Sequence, residues 1–302
     1  MQKEPIISLE LNNIPLFRKG KVRNVYDLGN TLLFVTTDRI SAFDVIMPNG
    51  IYNKGKVLNM ISNFWFNYTK DIIDNHFITI DIDEIIEKES SLSEYRDILN
   101  GRAMLVTKTE PILVECIVRG YISGSGWKDY KNTGSISGIQ LPENLKMCEK
   151  LEEPIFTPSS KAEQGHDINI SQEEMKQQVG EETFFILKKA SIDIYKKARD
   201  YADKKGIIIA DTKFEFGKIG DKIVLIDEVL TPDSSRFWPK KDYKVGEQQK
   251  SFDKQFVRDY LSGLNWDKNP PAPVLPDDIV KKTSEKYIQA YEILTNNKFL
   301  CK

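Results

Sequence analysis

Residues 207–216 read Ile-Ile-Ile-Ala-Asp-Thr-Lys-Phe-Glu-Phe. The β-branched opening and the alternation after it predict a strand with two unlike faces, Asp211, Lys213 and Glu215 on one side and Thr212, Phe214 and Phe216 on the other. Residues 222–230 read Lys-Ile-Val-Leu-Ile-Asp-Glu-Val-Leu, a second strand, and a turn near 217–221 joins the two as a hairpin. A charged row flanked by so much apolar sequence is costly if buried unpaired, so these groups either pair with one another or bind something. Glu215 and Asp227 offer hard oxygen ligands suited to a divalent cation. A surface ion-pair network would use the same residues. With a three-residue loop, 219–221, Lys218 opposes Lys222 and Lys213 falls opposite Asp227, two residues from Glu215 on the same face.

Around this hairpin the sequence alternates between sheet and helix signals. Residues 20–37 carry two stretches rich in Val, Leu, Tyr, Phe and Thr, split by Gly29-Asn30, a dipeptide suited to a tight turn. Val57, Ile61, Phe64, Trp65, Tyr68 and Ile72 recur at steps of three and four and predict an amphipathic helix. Residues 76–82 and 112–119 return to β character. Residues 120–170 hold much of the Gly, Ser and Pro with little periodicity, so long irregular loops over a site are expected there. Ser171 with Glu174 makes a capping box, and Phe184, Leu187, Ile194, Ala198 and Tyr201 carry a helical stripe as far as Gly206. Residues 251–261 and 277–295 read as helices on either side of Pro270-Pro271-Ala272-Pro273.

Composition narrows the chemistry. A chain of 302 residues, 40% hydrophobic and 29% charged, has room for a sizeable core and roughly two lobes. With 43 Lys plus Arg against 45 Asp plus Glu, the net charge of -2 gives no global attraction for nucleic acid or anionic lipid, so any phosphate binding is local. The two histidines, His76 and His166, and three widely spaced cysteines, Cys116, Cys148 and Cys301, write no zinc motif and fit reduced thiols. Catalysis then rests on Lys, Arg, Asp and Glu. No apolar run approaches the ~18 residues that cross a bilayer, and residues 1–13 lack the core of a signal peptide. The expectation is a cytoplasmic protein with neither a membrane nor a nucleic acid as partner.

Two further groupings carry residue types that bind phosphate. Gly20-Lys21-Val22-Arg23 opens the first hairpin with a glycine that admits close backbone approach and two cations on one face at period two. A solvated basic strand face reads the same way. Arg119-Gly-Tyr-Ile-Ser-Gly-Ser-Gly126, with Ser234-Ser235-Arg236, sets arginines beside hydroxyls and glycines, as phosphate sites do. Turn geometry alone also calls for glycine. Neither a Walker A sequence nor GxGxxG is present.

The segments GKVRNVYDLG, TTDRISAFDVIMPNGIYNKGKVL, GRAMLV, ECIVRGYISGSGW, TPSSKAEQGHD, ADTKFEFG, LIDEVLTPDSSRFW and SFDKQFVRDYL, in that order, resemble the phosphoribosylaminoimidazole-succinocarboxamide synthase (SAICAR synthetase) family of purine biosynthesis over residues 20–261. The resemblance implies an α+β fold. An antiparallel-sheet, nucleotide-binding N-terminal lobe (1–110) with distant kinase and ATP-grasp likeness is joined to a larger mixed α/β lobe (111–302) holding substrate and metal sites and C-terminal helices. It implies an ATP-dependent ligase that condenses carboxyaminoimidazole ribonucleotide (CAIR) with L-aspartate to give SAICAR, ADP and phosphate. The route is transfer of the γ-phosphoryl group to the substrate carboxylate, then attack by the aspartate amine on the acyl phosphate. ATP and Mg2+ are the cofactors implied, and CAIR, L-aspartate and ATP the small-molecule partners.

By matching motif, Gly20, Lys21, Val22 and Arg23 resemble the phosphate lid, and Arg102, Met104 and Val106 the connector beside the adenine. Glu115, Lys161 and Asp167 match the nucleotide pocket. Glu215 and Asp227 match the magnesium positions, and with Lys213, which stands between ATP and the second substrate, they form the implied catalytic set. Ser41, Arg119, Ser125, Asp233 and Arg236 match the ribonucleotide site, the arginines and Ser125 suiting its 5′-phosphate. Residues 240–249 and those after 261 match less clearly, and the aspartate pocket and oligomeric state stay open. A small-molecule or protein kinase is a second reading, against which stands the lack of HRD and DFG sequences. A catalytically silent nucleotide-binding scaffold is a third, with no need for Lys213, Glu215 and Asp227 together.

Overall fold

The computed structural model describes residues 4–161 and 168–300. Its N-terminal sheet has five strands in the order Leu16–Lys19, Arg23–Asp27, Thr31–Thr36, Ala103–Thr107, Phe77–Thr79, all neighbours antiparallel. Gly29 closes the turn between the second and third strands at φ 83°, a left-handed backbone that costs glycine nothing, and Leu28 N–H donates to the Thr31 carbonyl at 3.0 Å. An earlier strand, Leu16–Lys19, also pairs with Arg23–Asp27, so residues 20–22 form a turn of their own. Lys21 therefore lies in that turn and only Arg23 in a strand.

The second sheet runs Lys150–Phe156, Val114–Tyr121, Ile207–Ile219, Lys222–Ile226, with Ser235–Pro239 and Glu110–Pro111 also paired to Ile207–Ile219. Helix Glu181–Lys204 packs on this sheet through Leu187, Ile194 and Tyr195. The long strand does not keep one alternation. Its pairing with Ser235–Pro239 shifts between Ile209 and Thr212, and Ile207 and Ile209 share the main core with Phe214 and Phe216. Unbroken period two would send Asp211, Lys213 and Glu215 into that core behind the isoleucines. The irregularity exchanges the faces, as a bulge does.

The hairpin register differs from the sequence expectation. Glu215 faces Ile226 and Ile219 faces Lys222, leaving the two-residue loop Gly220-Asp221. This one-residue shift, carried on by alternation, would put Asp227 on the face away from Glu215. Asp227 instead leaves the strand at φ 67°, a left-handed turn that Asp adopts more readily than most residues. It brings the carboxylate back beside Glu215 in one cleft.

Two helix expectations also change. Gly180, at φ 84°, splits the stripe after the Ser171/Glu174 capping box into Gln172–Val179 and Glu181–Lys204. Within 120–170, helix Gly124–Thr133 and strand Lys150–Phe156 replace much of the expected loop. Glycines weaken the helix signal there, yet Trp127 and Tyr130 pack on Ile122, Ile136 and Leu151 and decide the conformation. Helices Lys54–Thr69 and Asp277–Thr295 lie against each other. The main core runs unbroken from Leu32 and Phe34 through Trp65 and Phe66 to Phe214 and Phe216, joining both sheets.

Candidate active site

A cleft of about 370 Å³ is lined from both sheets. Val22, Val25, Leu32, Phe34 and Ile226 supply an apolar wall, and Lys21, Arg23, Lys161, Lys213, Glu215 and Asp227 a charged end. Of the residues expected around the nucleotide, Gly20, Lys21, Val22, Arg23 and Lys161 line this cleft, and Glu115 adjoins it, 3.0 Å from Lys213 Nζ. Asp167 lies outside the described residues. Arg102, Met104 and Val106 do not line it. They belong to or border the interior strand Ala103–Thr107, where Val106 is core and Arg102 donates to Asp38 Oδ2 (3.2 Å) and to the Thr36 carbonyl (3.0 Å). Residues 108–113 lead from the first sheet to the second, and of these Thr109 and Pro111 line the cleft.

The charged end is an alternating ionic cluster. Glu215 pairs with both Lys161 and Lys213. Arg23 Nη2 donates to Asp227 Oδ1 at 2.9 Å and lies 3.8 Å from Glu228 Oε1. Burial works against the Lys213 ammonium, but Glu215 and Glu115 outweigh it and hold its pKa above the usual lysine value. Burial likewise opposes the Asp227 charge, and Arg23, Lys213 and Lys161 overcome it, holding that carboxyl well below the usual range. The lid turn is fixed from behind by Arg39, which donates to the Gly20 and Lys21 carbonyls, each at 3.0 Å. Lys21 itself pairs with Asp44. Ser41 sits in the short strand Ser41–Ala42, paired to Val45–Ile46, and is not among the cleft-lining residues. Among the described residues, Glu215 and Asp227 are the carboxylates that line the cleft. Among the described residues no three His, Cys, Asp or Glu side chains gather into a metal cage. Two carboxylates completed by phosphates and water are the usual protein share of a Mg2+ site, so the donor set fits that ion. His76 also lines the cleft, and burial, the largest influence, pushes its pKa down to about 3.

Two residues before Lys213, on the same face, Asp211 collects the second cluster. Its Oδ2 accepts from Arg119 Nη1 (3.3 Å), Ser123 Oγ (3.2 Å) and Arg236 Nη1. Arg119 also donates from Nε to Thr157 Oγ1 (3.0 Å) and from Nη2 to Ser125 Oγ (3.2 Å), so this buried guanidinium is occupied by protein partners. The Arg236 side chain keeps 28% of its surface exposed at the start of helix Gly124–Thr133. A Cβ on Gly124 would stand 2.0 Å from Arg236 Nη2, and one on Gly126 would stand 3.2 Å from Arg119 Nε. These glycines make room for the two arginines.

Asp233 is enclosed. Lys54 Nζ donates to its Oδ2 at 2.7 Å, Tyr287 Oη to its Oδ1 at 2.7 Å, and Lys254 Nζ lies 3.6 Å away. Sequence reasoning missed Arg39, Lys54, His76, Thr109 and Tyr287. Arg39 and Lys54 stand inside a quoted motif, but only the folded chain shows what they hold.

One face of one strand thus carries an arginine and hydroxyl cluster, then a lysine, then a cleft with two carboxylates. Such a layout is that of an enzyme rather than of a purely structural protein. The model of the SAICAR synthetase family matches residues 16–273, and the chain belongs to that family. The phosphoribosylaminoimidazole-succinocarboxamide synthase of Thermodesulfovibrio yellowstonii is 57% identical over 294 residues, 97% of this chain and 100% of that one. The synthase of Maridesulfovibrio salexigens is 53% identical over 97% of each chain. Among solved structures, the SAICAR synthase from Saccharomyces cerevisiae complexed with SAICAR is 47% identical, with a TM-score of 0.90, covering 97% of this chain and 99% of that one. The family and the α+β fold expected from the ordered motifs therefore hold.

Proposed function

We propose that ATP fills the cleft and CAIR lies against the arginine cluster, with Lys213 between the two reacting groups. As a SAICAR synthetase, the chain is an ATP-dependent ligase that joins CAIR and L-aspartate into SAICAR, releasing ADP and phosphate. The observation that carries the placement is the row Asp211, Lys213, Glu215. Two-residue steps along a strand are about 6.8 Å, so one ammonium stands within reach of both pockets. The SAICAR complex of the yeast enzyme supports a ribonucleotide of this class as ligand.

A carboxylate is a poor electrophile, so CAIR must be activated before an amine can displace one of its oxygens. Lys21, Arg23 and Lys161 attract the triphosphate. Ion pairs now made with Glu215 and Asp227 exchange for phosphate oxygens as ATP enters. Mg2+, held by Glu215 and Asp227 with the phosphates, would neutralise charge on the transferring group. Arg236 and Ser125, at the helix Gly124–Thr133, take the ribonucleotide 5′-phosphate, while Arg119 positions Ser125 and Asp211. Lys213 offsets the charge shared by γ-phosphoryl and carboxylate oxygens. The aspartate amine then attacks the acyl phosphate and phosphate leaves. Asp233, closed off by Lys54 and Tyr287, orders the substrate wall. Residues 1–110 and 111–302 form the two lobes of this reading. A cytoplasmic address belongs to it, supported by the free thiols of Cys116 and Cys148. Among the described residues no helix is long and apolar enough to cross a membrane.

ADP release with CAIR alone, L-aspartate alone and both together tests the reading. Rapid release only with both substrates fits the ligase. Equal release with CAIR alone fits a kinase, and none under any condition overturns both.

A further inference from the structure

The row Asp211, Lys213, Glu215 leaves the core face only because the long strand is irregular between Ile209 and Thr212. Before that point Ile207 and Ile209 face the main core, while Ile208 and Ala210 pack with Tyr121 and Trp238. After it, Ser235 Oγ donates to Thr212 Oγ1 at 2.8 Å and Lys213 N–H to the Ser234 carbonyl at 3.0 Å. Against the irregularity itself stands Tyr195, a fully buried residue of helix Glu181–Lys204. Its hydroxyl donates to the Ile209 carbonyl at 2.7 Å and lies 3.5 Å from the Ala210 carbonyl. Successive carbonyls of a regular strand point to opposite edges, so one hydroxyl close to both marks the bend. The same hydroxyl enters where the neighbouring ladder stops. Strand Val114–Tyr121 pairs with the long strand from Phe214 back to Asp211, opposite Arg119, and the register ends there. A Cβ on the next residue, Gly120, would stand 2.1 Å from Tyr195 Oη and 2.9 Å from its Cζ. Gly120 is not one of the residues with a left-handed backbone, so it is the space that calls for glycine.

We propose that Tyr195 is a positioning residue of the reaction: its hydroxyl, admitted by Gly120, ends the ladder beyond the Arg119–Asp211 pair and fixes the change of face that turns Asp211, Lys213 and Glu215 out of the core. The inference rests on the reading that Lys213 acts between the two reacting groups. Tyr195 is not among the residues that line the cleft, so its influence on turnover passes through the strand. Without the hydroxyl the Ile209 carbonyl loses a buried donor. Residues 209–212 then relax, and the Lys213 ammonium, one residue further on, moves with them. The phosphate cations Lys21, Arg23 and Lys161 lie outside the long strand and keep their places.

The test measures kcat and the KM for ATP of Tyr195→Phe, Gly120→Ala and the double variant, each well below its unfolding midpoint, with CAIR and L-aspartate saturating. Tyr195→Phe keeps the ring and removes only the hydroxyl. It should lower kcat at least about threefold and up to about a hundredfold, the cost of displacing a reacting group by about 1 Å. The KM for ATP should change less than kcat. Gly120→Ala displaces the same hydroxyl and should act in the same direction. Because the phenylalanine ring leaves more room for the added methyl, the double variant should lose less than the product of the two separate effects. A purely structural Tyr195 would lower the midpoint and leave kcat alone, so a smaller fall of kcat in folded Tyr195→Phe overturns the proposal. A KM for ATP that rises as much as kcat falls also overturns it, and a double variant at the full product overturns the part played by Gly120. If Tyr195→Phe does not fold, Gly120→Ala decides by the same criteria, and loss of folding in both makes the tyrosine structural. Lys213→Met, assayed alongside, keeps the two readings apart. A normal kcat there would remove the placement of Lys213, whereas a depressed kcat there beside an unchanged Tyr195→Phe would overturn the present proposal alone.

Discussion

Arg23 Nη2 donates to Asp227 Oδ1 at 2.9 Å across 204 positions of sequence, tying the first hairpin to the residue that follows strand Lys222–Ile226. Arg23 is the strongest of the cations that hold Asp227 ionised against its burial. Because the folded pKa lies below the unfolded value of about 3.9, the stability it contributes is present above about pH 4 and is lost as pH falls through the folded value. Arg23→Met should therefore cost about 1.5 to 3 kcal/mol at pH 7, and the gap to wild type should narrow below about pH 3. Calorimetry across the acid range measures it. A gap that widens on acidification contradicts the assignment.

Glu215→Gln and Asp227→Asn should each lower turnover by at least about a hundredfold, as removal of a group that organises transition-state charge does. The amides still accept hydrogen bonds from Lys161, Lys213 and Arg23, so each variant should remain folded. Steady-state rates with near-ultraviolet circular dichroism separate the two effects. Collapse of the fold in both variants would support the plain ion-pair network instead.

Lys213→Met should depress kcat more than it raises KM for either substrate, since the contact it removes strengthens mainly in the transition state. Oxygen-18 placed in the CAIR carboxylate should appear in released phosphate, because breakdown of the tetrahedral adduct expels the bridging oxygen with phosphorus. Unlabelled phosphate would rule out the acyl phosphate. A normal kcat in Lys213→Met would remove the lysine from the chemistry.

The two arginines around Asp211 should separate by phenotype. Arg236→Ala should weaken CAIR binding by about 1.5 to 3 kcal/mol, with ATP affinity little changed. Arg119→Ala takes one of three donors from buried Asp211 and the donor to Thr157 Oγ1, and should cost about 1 to 3 kcal/mol of stability. Binding calorimetry and chemical denaturation on both variants read the contrast. Equal losses of stability would mean that Arg236 is as structural as Arg119.

What the sequence discloses follows from how local the cause is. The charged row on 207–216, the turn at Gly29 and the Ser171/Glu174 box each depend on neighbours within a few residues, and each is formed. The position of Asp227 is different. A loop one residue shorter and a left-handed backbone act in opposite senses, and period two contains neither. Met104 and Val106 fall inside a sheet, with Arg102 just before it, because Ala103–Thr107 pairs on both edges, with Thr31–Thr36 and Phe77–Thr79, and this pairing is not written in the segment itself. Lys54 looks like an ordinary helix-entry lysine until Tyr287 and Asp233, 179 positions from it in the latter case, close around it. The nucleotide-site roles of the matched residues remain proposals for the experiments above.

The long strand also works as a ruler. Asp211, Lys213 and Glu215 are spaced by covalent geometry, so the gap between the arginine cluster and Glu215 is set by the strand itself. Length changes in the exposed turn at Gly220 leave that gap intact. A single residue inserted between Asp211 and Glu215 would lengthen it by about 3.4 Å and turn one end of the row towards Phe214 and the core. This stretch should therefore accept exchange of side chains far better than any change in length.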